Sequence, residues 1–312
     1  MISASAPGKI ILFGEHAVVY GEPCVSMAVN LRTTVTVENA KGAESTVDGY
    51  SAQRQPHIRT ALEILWEGAP IIPVEIRIKS EIPSAAGMGS SAALSVAAAA
   101  ALTKFGGSDV VEEKIARAGF EVEYAVQGSA SPNDTSVSAH GSAIMLCKQK
   151  REDLRFLWEI EKDGRRWYVH HCEFSEFNIV AGFTGARGRT SEQVAKVGNL
   201  VRYPFVHGVI KEIGQIAEEG AKALSAGDFK KAGALMTKNH NLLAVLGVNT
   251  PELQRLVSAA LPTSHGAKIT GAGGGGCMIA LTDNPDETAK AIESAGGKAY
   301  RVKLERRGVV IE

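Results

Sequence analysis

The stretch Glu81-Ile-Pro-Ser-Ala-Ala-Gly-Met-Gly-Ser-Ser-Ala-Ala-Leu94 joins a strand-like segment to an alanine-rich one, and its reading decides how the rest of the chain is understood. Before it, Val74-x-Ile76-x-Ile78 alternates with the two-residue period of a half-buried strand. Gly87 and Gly89 provide backbone freedom closed to other residues and let a ligand approach bare main chain. Ser90 is a good N-cap for a helix that Ala92 opens and that runs to about Phe105, where Gly106-Gly107 stops it. Free N–H groups at such a helix start, with the positive end of its dipole, suit an anion such as phosphate. An ordinary strand-to-helix loop carries the same glycines, but the neighbouring Ser90 and Ser91 favour phosphate, because hydroxyls there can also ligate Mg²⁺.

Two commoner phosphate motifs do not fit. No G-x-x-x-x-G-K-[ST] occurs, which excludes a P-loop NTPase at the level of motif. Gly87-x-Gly89-x-x-Ala92 imitates a dinucleotide fingerprint, but the acid expected about 20 residues on is replaced by Lys104 to Gly107, with Asp109 the nearest carboxylate.

The chain has 312 residues, room for two domains of ordinary size, and 45% hydrophobic content, that of a globular protein with ample core. Lys plus Arg and Asp plus Glu both total 34, so there is no broad basic field for nucleic acid. The longest largely apolar run, Ala92 to Leu102, is too short and alanine-rich to span a bilayer, and the N-terminus lacks the pattern of a signal peptide. Cys24, Cys147, Cys172 and Cys277 lie far apart with no C-x-x-C pair, which predicts reduced thiols and a cytoplasmic protein.

Along the chain, Ser3 to Ala6 and Lys9 to Phe13 read as two short strands broken by Pro7-Gly8, and Arg32 to Glu38 as another. Gly14 to Gly21 reads as a polar turn that exposes ionisable Glu15 and His16 at a strand end, and residues 40–55 as connective. His57 to Trp66 reads as helix. Ser108 is placed to cap another, ending near Gln127, with Glu121 and Glu123 where the dipole disfavours carboxylates unless something pairs with them. Residues 129–136 read as a loop, Gly141 to Leu146 as a strand, and Trp158 to Trp167 as a hairpin turning at Asp163-Gly164. Asn178 to Phe183 reads as a strand, and residues 184–190 as a loop holding Arg187 and Arg189. Helices are predicted over Thr190 to Val197, Pro204 to Ala226, Phe229 to Leu246 and Pro251 to Ala260. The chain then returns to strands at Ala267 to Thr270 and Cys277 to Leu281, a helix at Pro285 to Ala295 and a strand near Tyr300 to Val302.

Phosphoryl transfer needs a phosphate cradle, a metal, a cation near the migrating group and a residue that orients or deprotonates the acceptor. Gly87 to Ser91 can be the cradle, and Ser91 and Glu123 can offer hard oxygens to Mg²⁺, although Glu123 alone also reads as a solvated helix carboxylate. Asp134 can handle a hydroxyl proton, or simply close an Asx-turn; Lys9 can serve phosphate and lower a hydroxyl pKa, or lie on the surface. Lys268-Ile-Thr-Gly-Ala-Gly-Gly-Gly-Gly-Cys277 is entropically costly, which calls for close approach to a ligand or another backbone.

Pro7-Gly8-Lys9 through Gly21, the Pro83 to Ala93 loop, and Lys268 to Cys277 resemble in order and spacing the three signature motifs of the GHMP small-molecule kinases. Within that family the P-G-K…G-E-H-x-V-V-x-G start and the segment Glu123 to Asp134 resemble the mevalonate-phosphorylating branch, in its compact archaeal form. Met88 stands where the family more often has leucine, a swap of similar volume. The resemblance implies an α+β, two-domain GHMP kinase fold: a ribosomal protein S5 domain 2-like domain over residues 1–174 and a ferredoxin-like domain over residues 175–312, with the site between them. It implies ATP as co-substrate, Mg²⁺, mevalonate as acceptor and isoprenoid synthesis as setting, no nucleic-acid or membrane partner, and leaves a homodimer open. By position, Asp134 would be base or orienter and Lys9 its charge partner. Pro83, Ser84, Ala85, Ala86, Gly87, Met88, Gly89, Ser90, Ser91, Ala92 and Ala93 would wrap the phosphates, with Ser91 and Glu123 on Mg²⁺. Glu15 and His16 would face the acceptor, Thr190 would help close the site, and residues 271–276 would line it.

Overall fold

A computed structural model describes residues 1–68, 72–83, 86–128, 130–186 and 188–312. Ser84 and Ala85 of the expected phosphate loop, Ser129 of the loop expected ahead of Asp134, and Arg187 lie outside the described residues.

The first part of the chain runs β1 (Ile2–Phe13), a 3₁₀ turn (Ala17–Tyr20), β2 (Cys24–Asn39), β3 (Thr46–Val47), β4 (Tyr50–Ser51), α1 (Pro56–Leu65), β5 (Val74–Ser80), α2 (Ser90–Phe105), α3 (Glu112–Gln127), α4 (Asn133–His140), β6 (Ala143–Cys147), β7 (Arg155–Lys162) and β8 (Arg165–Cys172). The second runs β9 (Asn178–Phe183), α5 (Thr190–Leu200), α6 (Pro204–Ser225), α7 (Phe229–Val245), α8 (Pro251–Ala260), β10 (Gly266–Ile269), β11 (Cys277–Thr282), α9 (Pro285–Ser294), β12 (Lys298–Val302) and β13 (Val310–Ile311).

Long β2 is the spine of the first sheet, whose order is β4-β3-β5-β2-β6-β8-β7, with β1 along β2 and β13 on β1. Helices α1 to α4 belong to the core on this sheet. Most of α2 from Ala92 to Leu102 is buried, as a helix apolar on nearly all sides must be, and its alanines allow close approach to β1 and β2. The second sheet is antiparallel, ordered β10-β11-β9-β12. A strand, helices, two hairpinned strands, a helix and a last strand in that order give the ferredoxin-like βαββαβ topology, with extra helices in the first crossover. Edge strand β10 is covered by α7: its outward amides at Ala267 and Ile269 donate to Thr237 Oγ1 and His240 Nδ1, both at 3.4 Å. Such capping removes the hazard of an unpaired sheet edge.

Several local expectations are corrected. β1 is one strand, not two, because a register irregularity between Pro7 and Gly8 absorbs the proline that a regular ladder would reject. Residues 40–55 are not purely connective but hold β3 and β4. Neither serine caps its helix. Gly89, at φ 73°, accepts the first helical bond of α2 from Ala93, and α3 starts at Glu112 after Val111, beyond Ser108. Asp134 sits not in a loop but in the first turn of α4, whose N-cap is Pro132; an acid in the first turn suits the helix dipole. The hairpin forms as predicted, with Asp163 at φ 50° and Gly164 at φ 71°.

After β12 the chain crosses back onto the first sheet. Glu305 N–H donates to the Ala28 carbonyl at 3.0 Å and Val309 N–H to the Ala139 carbonyl at 3.0 Å, while Gly308 lies so close to Ala139 that a Cβ would overlap its carbonyl. The C-terminal segment therefore clamps the end of α4, the helix that carries Asp134 at its start. All four cysteines are free and buried, and burial pushes Cys147, Cys172 and Cys277 up to about 12, which leaves inert thiols.

Candidate active site

Lys9 is where the separate patches meet. Its backbone N–H donates to the Met88 carbonyl at 3.0 Å, which fastens the glycine loop to β1. Its Nζ lies 3.0 Å from Asp134 Oδ2. The Lys9 side chain is 5% exposed and that of Asp134 39%, so the ammonium is fixed in protein while the carboxylate keeps a face open to an incoming group. Glycine is needed on both sides of the junction: a Cβ on Gly89 would fall 2.7 Å from Lys9 Cγ, and one on Gly8 2.7 Å from the Met88 carbonyl oxygen. Asp134 is also held by its neighbour. Asn133 Nδ2 donates to Oδ1 at 3.0 Å, and that amide is itself hydrogen-bonded to the Ser26 hydroxyl on β2. One oxygen thus rests on Asn133, the other on Lys9.

Glu123 is buried, which sets aside a solvated carboxylate. It accepts hydrogen bonds from Ser91 Oγ at 3.0 Å, Ser95 Oγ at 2.9 Å and Gln127 Nε2. Ser91 and Ser95 are four apart on α2, and Glu123 and Gln127 four apart on α3, so two helix faces meet across the carboxylate. Glu121, the other carboxylate at the unfavourable end of α3, is paired with Lys162 at 2.6 Å.

Glu15 and His16 depart from expectation, for neither side chain is exposed. Glu15 forms an ion pair with Lys268 on β10, with both side chains no more than 1% accessible, and Lys268 Nζ also donates to the Ile269 carbonyl at 2.7 Å. A charge so deep needs an opposite one; here one comes from the turn after β1 and the other from β10 of the second sheet. Burial pushes the Glu15 carboxyl up and the Lys268 ammonium down, and each is partly drawn back by the other's charge. The second carboxylate oxygen, Oε2, has no hydrogen-bond partner among the described residues. His16, at φ 62°, donates Nε2–H to the Ala272 carbonyl at 2.9 Å; a carbonyl only accepts, so this nitrogen carries the proton. Burial lowers the His16 pKa and keeps the ring neutral.

The 271–276 glycine segment closes the junction. Thr270 Oγ1 accepts from Ile11 N–H at 2.9 Å and donates to the Ile11 carbonyl at 3.0 Å, fastening β10 to β1. A Cβ on Gly276 would stand 3.4 Å from the Ala86 carbonyl oxygen, so this segment packs against the 86–89 loop. Thr190 is not brought to Lys9 and Asp134 by any hydrogen bond among the described residues. It is exposed at the start of α5, and neighbouring Arg189 is ion-paired at the surface with Glu192 at 2.8 Å. Lys268, Ser95 and Asn133 were given no role from sequence. The usable signals were a lysine inside an apolar strand and the four-residue spacing of Ser91 and Ser95.

Residues 56–142 match the family model described as the GHMP kinases N terminal domain, and residues 221–302 match GHMP kinases C terminal. The mevalonate kinases of Pyrococcus furiosus and Thermococcus gammatolerans are 36% and 38% identical to the chain, each over 100% of it and 98% of the relative. The crystal structure of the Methanococcus jannaschii mevalonate kinase superimposes with a TM-score of 0.80 at 26% identity, over 97% of this chain and 98% of that one. The two family domains and the full-length likeness to curated kinases make this an ATP-dependent small-molecule kinase. The chain belongs to the GHMP kinase family.

Breaking one half of a buried ion pair leaves an uncompensated charge, a loss of about 3–5 kcal/mol. Lys268→Met should therefore lower unfolding free energy by that order in urea titrations, and Glu15→Leu/Lys268→Met should recover most of it. A Lys268→Met single variant as stable as the parent would show that the pair is not held as two ions.

Proposed function

We propose that the protein transfers the γ-phosphate of ATP to the C5 hydroxyl of mevalonate, giving ADP and 5-phosphomevalonate for isoprenoid synthesis. The full-length likeness to archaeal mevalonate kinases supports the choice of acceptor. The observation that carries the chemistry is the Lys9–Asp134 pair, 3.0 Å apart beside the Met88 loop. In this reading Asp134 takes or orients the proton of the acceptor hydroxyl at its open face. Lys9 neutralises charge on the oxygens that gather there. Residues 83–93, including Ser84 and Ala85, wrap the phosphates, with α2 presenting its first amides to them. Alignment and charge neutralisation, without a covalent intermediate, provide the acceleration. Glu15 and His16 act on the acceptor side indirectly, by fixing Lys268 and the Ala272 carbonyl, and Thr190 closes over the site when substrates are present.

The residues at Glu123 suit Mg²⁺. A hydroxyl and a carboxylate oxygen, Ser91 Oγ and Glu123 Oε2, stand 3.0 Å apart as hard donors. Mg²⁺ is commonly held by one or two carboxylates together with phosphate oxygens and water, and Glu123 would supply one such carboxylate. When bound, the ion neutralises phosphate charge as transfer proceeds. In this reading the N-terminal and C-terminal domains divide near residue 174, and the last segment, with β13, returns to the first sheet. Four free, buried thiols support a cytoplasmic setting, and among the described residues no helix is long and apolar enough to cross a membrane.

In a coupled ADP-release assay over a panel of acceptors, mevalonate should turn over and phosphomevalonate should not; the reverse result would overturn the assignment. Asp134→Ala should lower kcat by about 10²–10⁴-fold with ATP affinity, read by titration, nearly unchanged. A normal rate in that variant would refute the role given to the carboxylate.

A further inference from the structure

Contacts to Glu123 come from three helices, and they divide between its two oxygens. Oε2 accepts from Ser91 Oγ at 3.0 Å and from Gln127. Oε1 accepts from Ser95 Oγ at 2.9 Å, and His57 Nε2, from the first turn of α1, lies 3.1 Å away. Ser95 is fully buried, one helical turn deeper along α2 than Ser91, so its hydroxyl has a protein partner and not a solvent one. His57 Nε2 is sealed from water and makes no hydrogen bond: its distance to Oε1 would allow one, but its direction does not. A sealed, unpaired polar atom aimed near an acceptor calls for an explanation.

We infer that Ser95 and His57 are positioning residues that hold Oε1 of Glu123, so that Oε2, beside the Ser91 hydroxyl, is the oxygen offered to the divalent cation. The inference rests on the reading of Ser91 and Glu123 as Mg²⁺ ligands. A carboxylate with both oxygens free can rotate or bind in two-oxygen fashion, whereas Mg²⁺ requires near-octahedral geometry and favours a single, fixed oxygen. Hydrogen bonds to the non-ligating atom of a ligand set its orientation, and their loss commonly weakens metal binding by about 10–100-fold. Asp134 is divided in a comparable way, with Asn133 holding Oδ1 while Oδ2 faces Lys9.

The test is the Mn²⁺ affinity of the enzyme complexed with a non-hydrolysable ATP analogue, read from the free-ion electron paramagnetic resonance signal. Ser95→Ala and His57→Ala should each weaken Mn²⁺ by about 10–100-fold with melting temperature unchanged. Ser95→Thr, which keeps the hydroxyl, should stay close to the parent, and raised Mg²⁺ should restore kcat of Ser95→Ala. If Glu123→Gln loses Mn²⁺ while the Ser95→Ala/His57→Ala double variant binds within twofold of the parent, the positioning role is wrong and the metal reading stands. If Ser95→Thr is as impaired as Ser95→Ala and both melt early, the residue serves packing and the inference also fails. If Glu123→Gln binds Mn²⁺ like the parent, the metal reading itself falls and takes the inference with it.

Discussion

Lys9 is tied twice, by its amide to the Met88 carbonyl and by its ammonium to Asp134, and these two bonds impose the geometry of everything around them. The first fixes the height of the glycine loop on β1. The second fixes α4, whose far end is gripped by the returning C-terminal segment. Because the loop must approach a strand carrying a lysine, Gly8 and Gly89 have no room for side chains, and the start of α2 follows from the resulting left-handed turn at Gly89. Loop, strand and helix are thus one mechanical unit, and a disturbance at any of them reaches the carboxylate.

The second sheet completes this unit through polar bonds in a dry junction. Thr270 grips both backbone groups of Ile11, His16 reaches Ala272, and Glu15 meets Lys268. Charge alternates across the junction: Lys268, Glu15, Lys9, Asp134. Lys9 contributes to the field at both Glu15 and Lys268, so the buried pair and the working pair are electrostatic neighbours. Buried pairs of this kind are weak sources of net stability and serve better to select one arrangement over others. Here they would hold the two sheets in the one register that brings the 271–276 segment against the 86–89 loop.

Much of the fold was legible from local pattern. The period-two run before the central loop, the Asp163-Gly164 turn and the amphipathic helices after residue 190 all form close to where the sequence places them, because each is decided by neighbours a few residues away. The motifs at Pro7 to Gly21 and Pro83 to Ala93, with the separate Glu123 to Asp134 segment, also located Lys9, Ser91, Glu123 and Asp134, which the fold gathers into two contacting pairs. What could not be read was burial. Glu15 and His16 look like exposed polar residues because the lysine and glycine segment that cover them lie far along the chain. Asp134 was read as a loop residue since Ser131-Pro132-Asn133 carries turn residues and helix-start residues at once, and packing against β1 and the C-terminal segment chooses the helix.

The central claim is spatial: the open face of Asp134, with Lys9 behind it, is where an alcohol meets the end of the nucleotide. A crystal structure with a non-hydrolysable ATP analogue and mevalonate bound together tests it most directly. The account predicts the C5 hydroxyl within hydrogen-bonding distance of the Asp134 carboxylate and the terminal phosphate beside Lys9 Nζ. Mevalonate bound away from Asp134, or the analogue's phosphates away from the 86–91 segment, would contradict it.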